Sequence, residues 1–433
     1  MTSRKPVSKT EPIVIVGAGV FGLSTALELK KRGYKNVTVL DRYLPPVVDG
    51  SSVDISRVIR VEYADPFYGK MAREAYDGWV RDYSDHYHQS GFVMLASSSG
   101  NSYAEKSKGA NKSLGDDLEE YENANDIRKK FPEIQAKIDG MKAYYNKNGG
   151  WADAASSIRQ LATECTLAGV SFITGTRGRV VSLRYSGYKV TGVNVAEGDP
   201  ISAAQVILAT GAWSNRLLPI SHATSGSGQP VGFVRLTPEE AARLAKMPVI
   251  INLSTGVFIF PPTPDTHILK IARHGYGWAT EVEVTDPLGQ SRTVSTPKRD
   301  GNNAAASYLP EDAQEALREG LKQLAPEFGD REWLRSRLCW YSDTPEGDFI
   351  VDHHPVREGL FLATGGAGHA FKFLPVLGRY VADCFEDKAP KELRHKWRLR
   401  APASTGQEME KYGDGSRGGP PLRKLTRAEQ AKL

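Results

Sequence analysis

Residues 13–22 read Ile-Val-Ile-Val-Gly-Ala-Gly-Val-Phe-Gly, and they predict the fold of the N-terminal part of the chain. The apolar run predicts a short buried strand, and residues 23–32 continue with the apolar spacing of a helix. Residues 37–40 predict a second strand, which ends at Asp41. A strand, a helix and a strand within about 30 residues predict a parallel βαβ unit.

The three glycines of the turn and the acidic residue after the second strand predict a dinucleotide site. Gly17 permits the tight turn, Gly19 lets the backbone approach a pyrophosphate, and Gly22 lets the helix pack closely on the strand. The helix N-terminus directs its free N–H groups and the positive end of its dipole at the phosphates. Asp41 is placed to accept hydrogen bonds from ribose hydroxyls.

A second glycine turn favours FAD over NAD as the dinucleotide. Residues 209–213 read Ala-Thr-Gly-Ala-Trp and close an apolar run about 190 residues after the first turn. An FAD fold brings such a distant turn near the flavin, whereas the nucleotide domain of a simple dehydrogenase is compact and has no such partner. We therefore expect FAD.

The predicted domain organisation is discontinuous. Residues 204–212 and 360–366 indicate further strands of the first sheet, and residues 228–300 have the Val, Ile, Phe and Thr content of an antiparallel sheet. We therefore predict an α/β fold, a Rossmann-type FAD-binding domain with an inserted antiparallel-sheet substrate domain. The predicted ranges are 11–85, 150–215 and 335–390 for the FAD-binding domain, 86–149 and 216–334 for the substrate domain, and 391–433 for a basic C-terminal extension with a flexible tail.

The composition is typical of a soluble globular protein, since 40% of the 433 residues are hydrophobic and 25% are charged. We expect no membrane segment, because no apolar run approaches the roughly 20 residues of a membrane span. The net charge of +5 comes from residues 391–433, where eleven Lys and Arg accompany five Asp and Glu. Nucleic acid is therefore not an expected partner. Three scattered cysteines predict neither a disulfide framework nor a metal site.

Three sequence motifs follow one another between residues 339 and 375. Residues 339–345 read Cys-Trp-Tyr-Ser-Asp-Thr-Pro, residues 347–355 read Gly-Asp-Phe-Ile-Val-Asp-His-His-Pro, and residues 365–375 read Gly-Gly-Ala-Gly-His-Ala-Phe-Lys-Phe-Leu-Pro. Together with the dinucleotide turn, they resemble the sarcosine oxidase-like FAD amine oxidases over residues 11–390. That family includes monomeric sarcosine oxidase, pipecolate oxidase, fungal saccharopine oxidase and the fructosyl amino acid oxidases.

The resemblance implies a role for five side chains. Cys339 would form a thioether to the flavin 8α carbon, which suits a thiolate in an electropositive site. Arg60 and Lys372 would bind the substrate carboxylate, for which the planar fork of arginine is suited. Arg57 would lie against the flavin, and Lys270 would lie near its N5 atom, where a fixed cation promotes the reaction with oxygen.

His274 matches an active-site histidine of the sarcosine oxidase branch, and we expect it to be catalytic with Lys270 and Arg57. Residues 54–60 read Asp-Ile-Ser-Arg-Val-Ile-Arg. Fructosyl amino acid oxidases tend to show Asn-Asp-x-Asn-Lys here, so this departure favours a plain secondary amino acid. The residues implied to contact the cofactor are Gly17, Gly19, Gly22, Asp41, Ser51, Arg57, Val180, Gly211, Cys339, Gly366, Gly368 and Lys372.

We therefore predict an FAD-dependent oxidase of a secondary amino acid, with saccharopine or pipecolate preferred. It would act on a CH–NH bond with oxygen and give an imine or aldehyde product and hydrogen peroxide. The alternatives are a fructosyl amino acid oxidase, a natural-product tailoring amine oxidase and a non-catalytic flavin-binding protein. The last is disfavoured because binding alone requires none of Cys339, Lys270 and Lys372.

The tripeptide Ala431-Lys432-Leu433 resembles the Ser-Lys-Leu peroxisomal address. We expect it to bind the peroxisomal import receptor, and we expect the protein to be peroxisomal.

Overall fold

The protein folds around two large β-sheets, and the computed structural model describes residues 7–115, 118–286, 289–299, 307–402 and 413–433. The strands are β1 (Pro12–Val16), β2 (Asn36–Leu40), β3 (Arg57–Ile59), β4 (Tyr87–His88), β5 (Phe92–Ser97), β6 (Glu119–Tyr121), β7 (Met141–Asn146), β8 (Gly150–Ala152), β9 (Ser171–Ile173), β10 (Val180–Ser186), β11 (Lys189–Val195), β12 (Ile201–Ser202), β13 (Gln205–Leu208), β14 (Ser225–Arg235), β15 (Val249–Asn252), β16 (Val257–Ile259), β17 (Ile268–Arg273), β18 (Trp278–Ala279), β19 (Val282–Thr285), β20 (Ser291–Val294), β21 (Arg335–Asp343), β22 (Ile350–His353), β23 (Leu360–Thr364) and β24 (Arg423–Lys424). The helices are α1 (Val20–Lys31), α2 (Pro66–Asp82), α3 (Ser102–Ser113), α4 (Ala154–Leu167), α5 (Ser214–Leu217), α6 (Pro238–Leu244), α7 (Glu311–Leu324), α8 (Leu374–Phe385), α9 (Lys391–Lys396) and α10 (Arg427–Gln430).

The predicted βαβ unit lies in the middle of a six-stranded sheet with the order β22-β23-β13-β1-β2-β9. Its strands are parallel except β22, which is antiparallel to β23 at one edge. Strand β1 lies between β13 and β2, so the glycine turn begins at the carboxyl edge of the sheet, near its centre. Open α/β sheets bind their ligands at this edge.

Helix α1 is buried along most of its length because it packs between this sheet and helices α4 and α8. The turn that leads into it requires glycine. Gly17 has a φ of +110°, and a Cβ at this position would lie 2.4 Å from the carbonyl oxygen of Ala209. A Cβ at Gly22 would lie 1.8 Å from the carbonyl oxygen of Gly17. Both contacts are with backbone atoms, so any side chain here would displace the turn.

The second sheet has the strand order β24-β18-β14-β17-β16-β15-β5-β7-β6, with β21 also paired to β14. Most pairs are antiparallel, while β15 with β5 and β18 with β24 are parallel. The predicted α/β fold is confirmed, and every strand of this sheet except β24 is inserted in the sequence between strands of the first. No helix within the described ranges is long and apolar enough to cross a bilayer.

The C-terminal segment differs from the predicted flexible tail. Residues 413–433 pack on the second sheet, where β24 extends it and Leu433 is buried in its core. Arg417 forms a buried ion pair with Asp343. Ion pairs and backbone hydrogen bonds rather than apolar side chains hold much of this segment, so its low apolar content did not predict order. Residues 403–412 of the predicted tail lie outside the described residues.

Candidate active site

One continuous cavity is lined by residues from both large sheets. It brings together predicted site residues that are more than 300 positions apart in the sequence. Gly22 is not among the lining residues, since it lies in the first turn of α1 and packs against Gly17. The predicted residues that line the cavity are Gly17, Gly19, Asp41, Ser51, Arg57, Arg60, Val180, Gly211, Lys270, His274, Cys339, Gly366, Gly368 and Lys372.

The glycine turn and Asp41 both line the cavity. The Gly17 N–H donates to the carbonyl oxygen of Leu40 at 2.8 Å. The Asp41 carboxylate accepts the N–H groups of Ala18 at 2.8 Å and Arg42 at 2.7 Å. Burial raises the pKa of Asp41, and these backbone hydrogen bonds oppose that rise. Asp41 therefore ties the end of β2 to the glycine turn.

A buried group of charges supplies two cations to the cavity wall. Asp54 accepts from Arg57 at 2.7 Å and pairs with Lys270 at 2.8 Å and Arg337 at 3.6 Å. Burial raises the pKa of Asp54, but these cations outweigh burial and hold its pKa far below the ordinary value. Burial lowers the pKa of Lys270 to about 7, although Asp54 opposes it. The Lys270 Nζ also donates to the carbonyl oxygen of Ser56 at 2.6 Å.

Cys339 lies beside this charged group on β21, opposite Gln229 of β14. Its Sγ is 3.5 Å from an Nη atom of Arg57. A thiol next to a fixed cation is the setting in which cysteines act as nucleophiles. Burial raises the pKa values of Cys165 and Cys384 to about 12, and neither lines the cavity, so they have the properties of inert core residues.

Arg60 and Lys372 both lie against the ring of Tyr63, at 4.8 and 5.2 Å from its centroid. Lys372 donates to the hydroxyl of Tyr63 at 3.0 Å and to the carbonyl oxygen of His369 at 3.1 Å. Burial and the nearby Arg60 lower the pKa of Lys372. One Arg60 Nη atom donates to Tyr103, and the other is buried with no hydrogen-bond partner among the described residues. The pair therefore offers an incompletely satisfied binding site for an anion.

His274 contacts residues that the sequence did not identify. Its Nδ1 lies 3.2 Å from the Tyr341 hydroxyl, and its Nε2 lies 2.9 Å from the Ser416 hydroxyl. Ser416 reaches the cavity from the C-terminal segment. Residues 413–419 read Gly-Asp-Gly-Ser-Arg-Gly-Gly, and this glycine density was the one signal of a tightly turned, close-packed segment. Arg417 in the same segment binds both carboxylate oxygens of Asp343.

The fold and the cavity define a class of flavoenzyme, and comparison with known proteins establishes it. The family described as FAD dependent oxidoreductase (DAO) matches residues 12–384, and the chain belongs to this family. The chain is 34% identical to L-saccharopine oxidase of Schizosaccharomyces pombe over 408 residues, which cover 90% of this chain and 93% of that protein. It is 30% identical to the Amino acid oxidase fsqB of Aspergillus fumigatus, with 84% of this chain and 90% of that protein covered.

A solved structure shows the same fold. The fructosamine oxidase Amadoriase II from Aspergillus fumigatus, in complex with FSA, aligns with a TM-score of 0.83 and 29% identity over 98% of this chain and 100% of that chain. FAD is the cofactor that the family implies. The cavity fits it, because it is lined both by the glycine turn, whose backbone can approach phosphates, and by a group of cations beside a thiol. The described residues contain no group of three or more side chains suited to a metal ion.

Proposed function

We propose that the protein is an FAD-dependent oxidase of a secondary amino acid, with saccharopine or pipecolate as the preferred substrate. The observation that carries this proposal is the buried pair of Arg60 and Lys372. One Arg60 Nη atom has no partner in the described part of the chain, and burying such a donor is costly unless a ligand satisfies it. A substrate carboxylate would complete this site. The similarity to L-saccharopine oxidase supports the choice of substrate.

Some residues of the cavity would bind the substrate, and others would assist the redox chemistry. Arg60 and Lys372 hold the carboxylate, which fixes the position of the adjacent carbon–nitrogen bond. Bound FAD would take a hydride equivalent from the carbon of that carbon–nitrogen bond and pass two electrons to oxygen, which gives hydrogen peroxide. Lys270 places a buried positive charge where reduced oxygen would develop negative charge. Water would hydrolyse the released imine.

Two other substrate classes have support. The similarity to Amadoriase II favours a fructosyl amino acid oxidase. The similarity to the Amino acid oxidase fsqB is compatible with a tailoring oxidase that acts on a larger amine. Arg60 argues against a fructosyl amino acid oxidase, because an arginine at this position departs from the pattern typical of that class.

A substrate panel tests the proposal. Hydrogen peroxide release is measured with saccharopine, pipecolate, sarcosine and fructosyl-lysine side by side, with free FAD as the blank. We expect turnover with saccharopine or pipecolate. Peroxide from fructosyl-lysine alone would establish the first alternative. If no amine bleaches the flavin under anaerobic conditions, the result would favour a non-catalytic flavin-binding protein.

We also propose that Cys339 carries the flavin covalently. The support is its place in the cavity and the Arg57 guanidinium at 3.5 Å from its sulfur. Attachment at the flavin 8α carbon would remove the thiol hydrogen of Cys339 and one hydrogen of the 8α methyl group, and oxygen would accept the two electrons released.

Substitution Cys339→Ser is expected to convert a tethered flavin into a dissociable one. Acid precipitation should leave yellow colour in the pellet of the wild-type protein and release it to the supernatant from the variant. Cys165→Ser is the matched control, since Cys165 is buried away from the cavity, and its pellet should stay yellow. A yellow pellet from Cys339→Ser would disprove the attachment.

We further propose that the protein is imported into peroxisomes through Ala431-Lys432-Leu433. The likeness of this tripeptide to Ser-Lys-Leu supports this, as does the similarity to a mouse protein named Peroxisomal sarcosine oxidase. Leu433 is buried while Ala431 and Lys432 are exposed, so receptor binding requires the last residues to detach.

The localisation is tested with a fluorescent protein fused to the N-terminus. We expect punctate fluorescence that coincides with a peroxisomal marker. Deletion of residues 431–433 should make the fluorescence diffuse. Diffuse fluorescence from the intact fusion would contradict peroxisomal import.

A further inference from the structure

The C-terminal segment holds His274 through both its backbone and its side chain. The Gly418 N–H donates to the carbonyl oxygen of His274 at 3.1 Å. The Ser416 hydroxyl lies 2.9 Å from the His274 Nε2. The Ser416 N–H and hydroxyl both donate to one carboxylate oxygen of Asp414, at 3.0 and 2.5 Å. A chain of hydrogen bonds therefore runs from the imidazole to a carboxylate.

Asp414 fixes the direction of every hydrogen bond in this chain. Burial raises the pKa of Asp414, but the Arg60 cation and the hydrogen bond from Ser416 outweigh burial and hold its pKa below the ordinary value, so the group is an acceptor only. Ser416 has one hydroxyl hydrogen, which points at Asp414. Its oxygen must then accept the hydrogen bond from Nε2–H of His274. Burial also lowers the pKa of His274, so the ring is neutral and its Nδ1 carries a lone pair.

This tautomer determines what Tyr341 can do in the cavity. Nδ1 of His274 accepts the hydrogen of the Tyr341 hydroxyl at 3.2 Å. Burial raises the pKa of Tyr341, so the phenol keeps its hydrogen. With that hydrogen directed to His274, the Tyr341 oxygen can only accept further hydrogen bonds. Tyr341 lines the cavity, so its oxygen is suited to an N–H donor on the substrate.

We propose that Asp414 and Ser416 are positioning residues that hold His274 as the Nε2–H tautomer and thereby make Tyr341 a hydrogen-bond acceptor for the substrate amine. The inference rests on the proposed amino acid oxidase function and deepens it. It assigns the C-terminal segment a part in recognising a substrate that bears an N–H group.

The tautomer is measured directly in the resting holoenzyme labelled with ¹⁵N-histidine. Loss of one signal in His274→Gln identifies His274 among the nine histidines. We expect a protonated Nε2 and an unprotonated Nδ1 in the wild type. Ser416→Ala removes the acceptor of Nε2–H and should move the hydrogen to Nδ1, whereas Ser416→Thr keeps the hydroxyl and should retain the wild-type pattern. A protonated Nδ1 in the wild type, or an unchanged pattern in Ser416→Ala, would overturn the proposal.

Anaerobic flavin reduction gives the kinetic test. Ser416→Ala should reduce the flavin about tenfold more slowly, which corresponds to one hydrogen bond in the transition state. Ser416→Thr should restore the rate. In a His274→Gln background, Ser416→Ala should cause no further loss, because the serine acts through the histidine. If Ser416→Ala lowers the reduction rate equally in the wild type and in His274→Gln, Ser416 has only a structural role.

Lys424→Ala is the matched control in the same segment, since Lys424 is exposed and pairs with Glu281 on the surface. It should leave the reduction rate unchanged. If no amino acid reduces the wild-type flavin, the proposed function fails, while the ¹⁵N pattern still decides whether Ser416 sets the tautomer.

Discussion

Lys270→Met should slow the reaction of the reduced enzyme with oxygen by about 10²- to 10³-fold, the usual effect of removing one charge-stabilising donor. The Lys270 ammonium is buried and fixed by Asp54 at 2.8 Å and the carbonyl oxygen of Ser56 at 2.6 Å, so it needs no rearrangement to stabilise developing negative charge. The measurement is stopped-flow mixing of anaerobically reduced enzyme with oxygenated buffer. Lys246→Met, an exposed lysine outside the cavity, is the control.

The oxygen reaction should also depend on pH. Burial lowers the pKa of Lys270 to about 7, so the cation is present below that pH and lost above it. The rate constant should therefore fall as pH rises through about 7 in the wild type. Lys270→Met should lack this step. A wild-type rate that rises through this range, or the same profile in both proteins, would show that Lys270 does not assist oxygen.

Arg60→Ala should weaken substrate binding by about 2–5 kcal/mol, the range for truncating one partner of a buried charge pair. That loss corresponds to at least about 30-fold in the dissociation constant. The reason is that the carboxylate loses a guanidinium fork and keeps only Lys372. The dissociation constant comes from the substrate dependence of anaerobic flavin reduction.

Two variants separate charge from geometry at this site. Arg60→Lys keeps a cation without the fork and should bind substrate with intermediate affinity. Tyr103→Phe removes the hydroxyl that Arg60 contacts at 3.0 Å but leaves both cations, so its effect should be smaller. An unchanged dissociation constant in Arg60→Ala would rule out carboxylate docking at this arginine.

The sequence predicts well the parts of the fold that depend on local pattern. The apolar run before Gly17, the helix behind it and the strand that ends at Asp41 form one continuous unit. Their apolar periodicity and their glycine turn can therefore be recognised from the local sequence, without knowledge of tertiary contacts. The motif around Cys339 and Lys372 indicated residues that line the same cavity.

The C-terminal segment could not be predicted in this way because its partners are distant. Ser416 is 142 positions from His274, and Arg417 is 74 positions from Asp343. A buried ion pair leaves no apolar pattern in the sequence, and a basic, glycine-rich stretch usually indicates a solvated tail. Only the folded structure shows that Ser416 lines the cavity beside His274.

The cavity also has a consequence for how the protein is maintained in cells. The glycine turn after β1 belongs to one large sheet, and Cys339 on β21 belongs to the other. A cofactor bound at the glycine turn and attached at Cys339, as proposed above, would connect the two sheets, so unfolding of either sheet would also remove cofactor contacts from the other. Ligand binding to the folded state alone raises stability by mass action, and a covalent ligand cannot be diluted away. Riboflavin supply would therefore set the amount of folded protein as well as its activity.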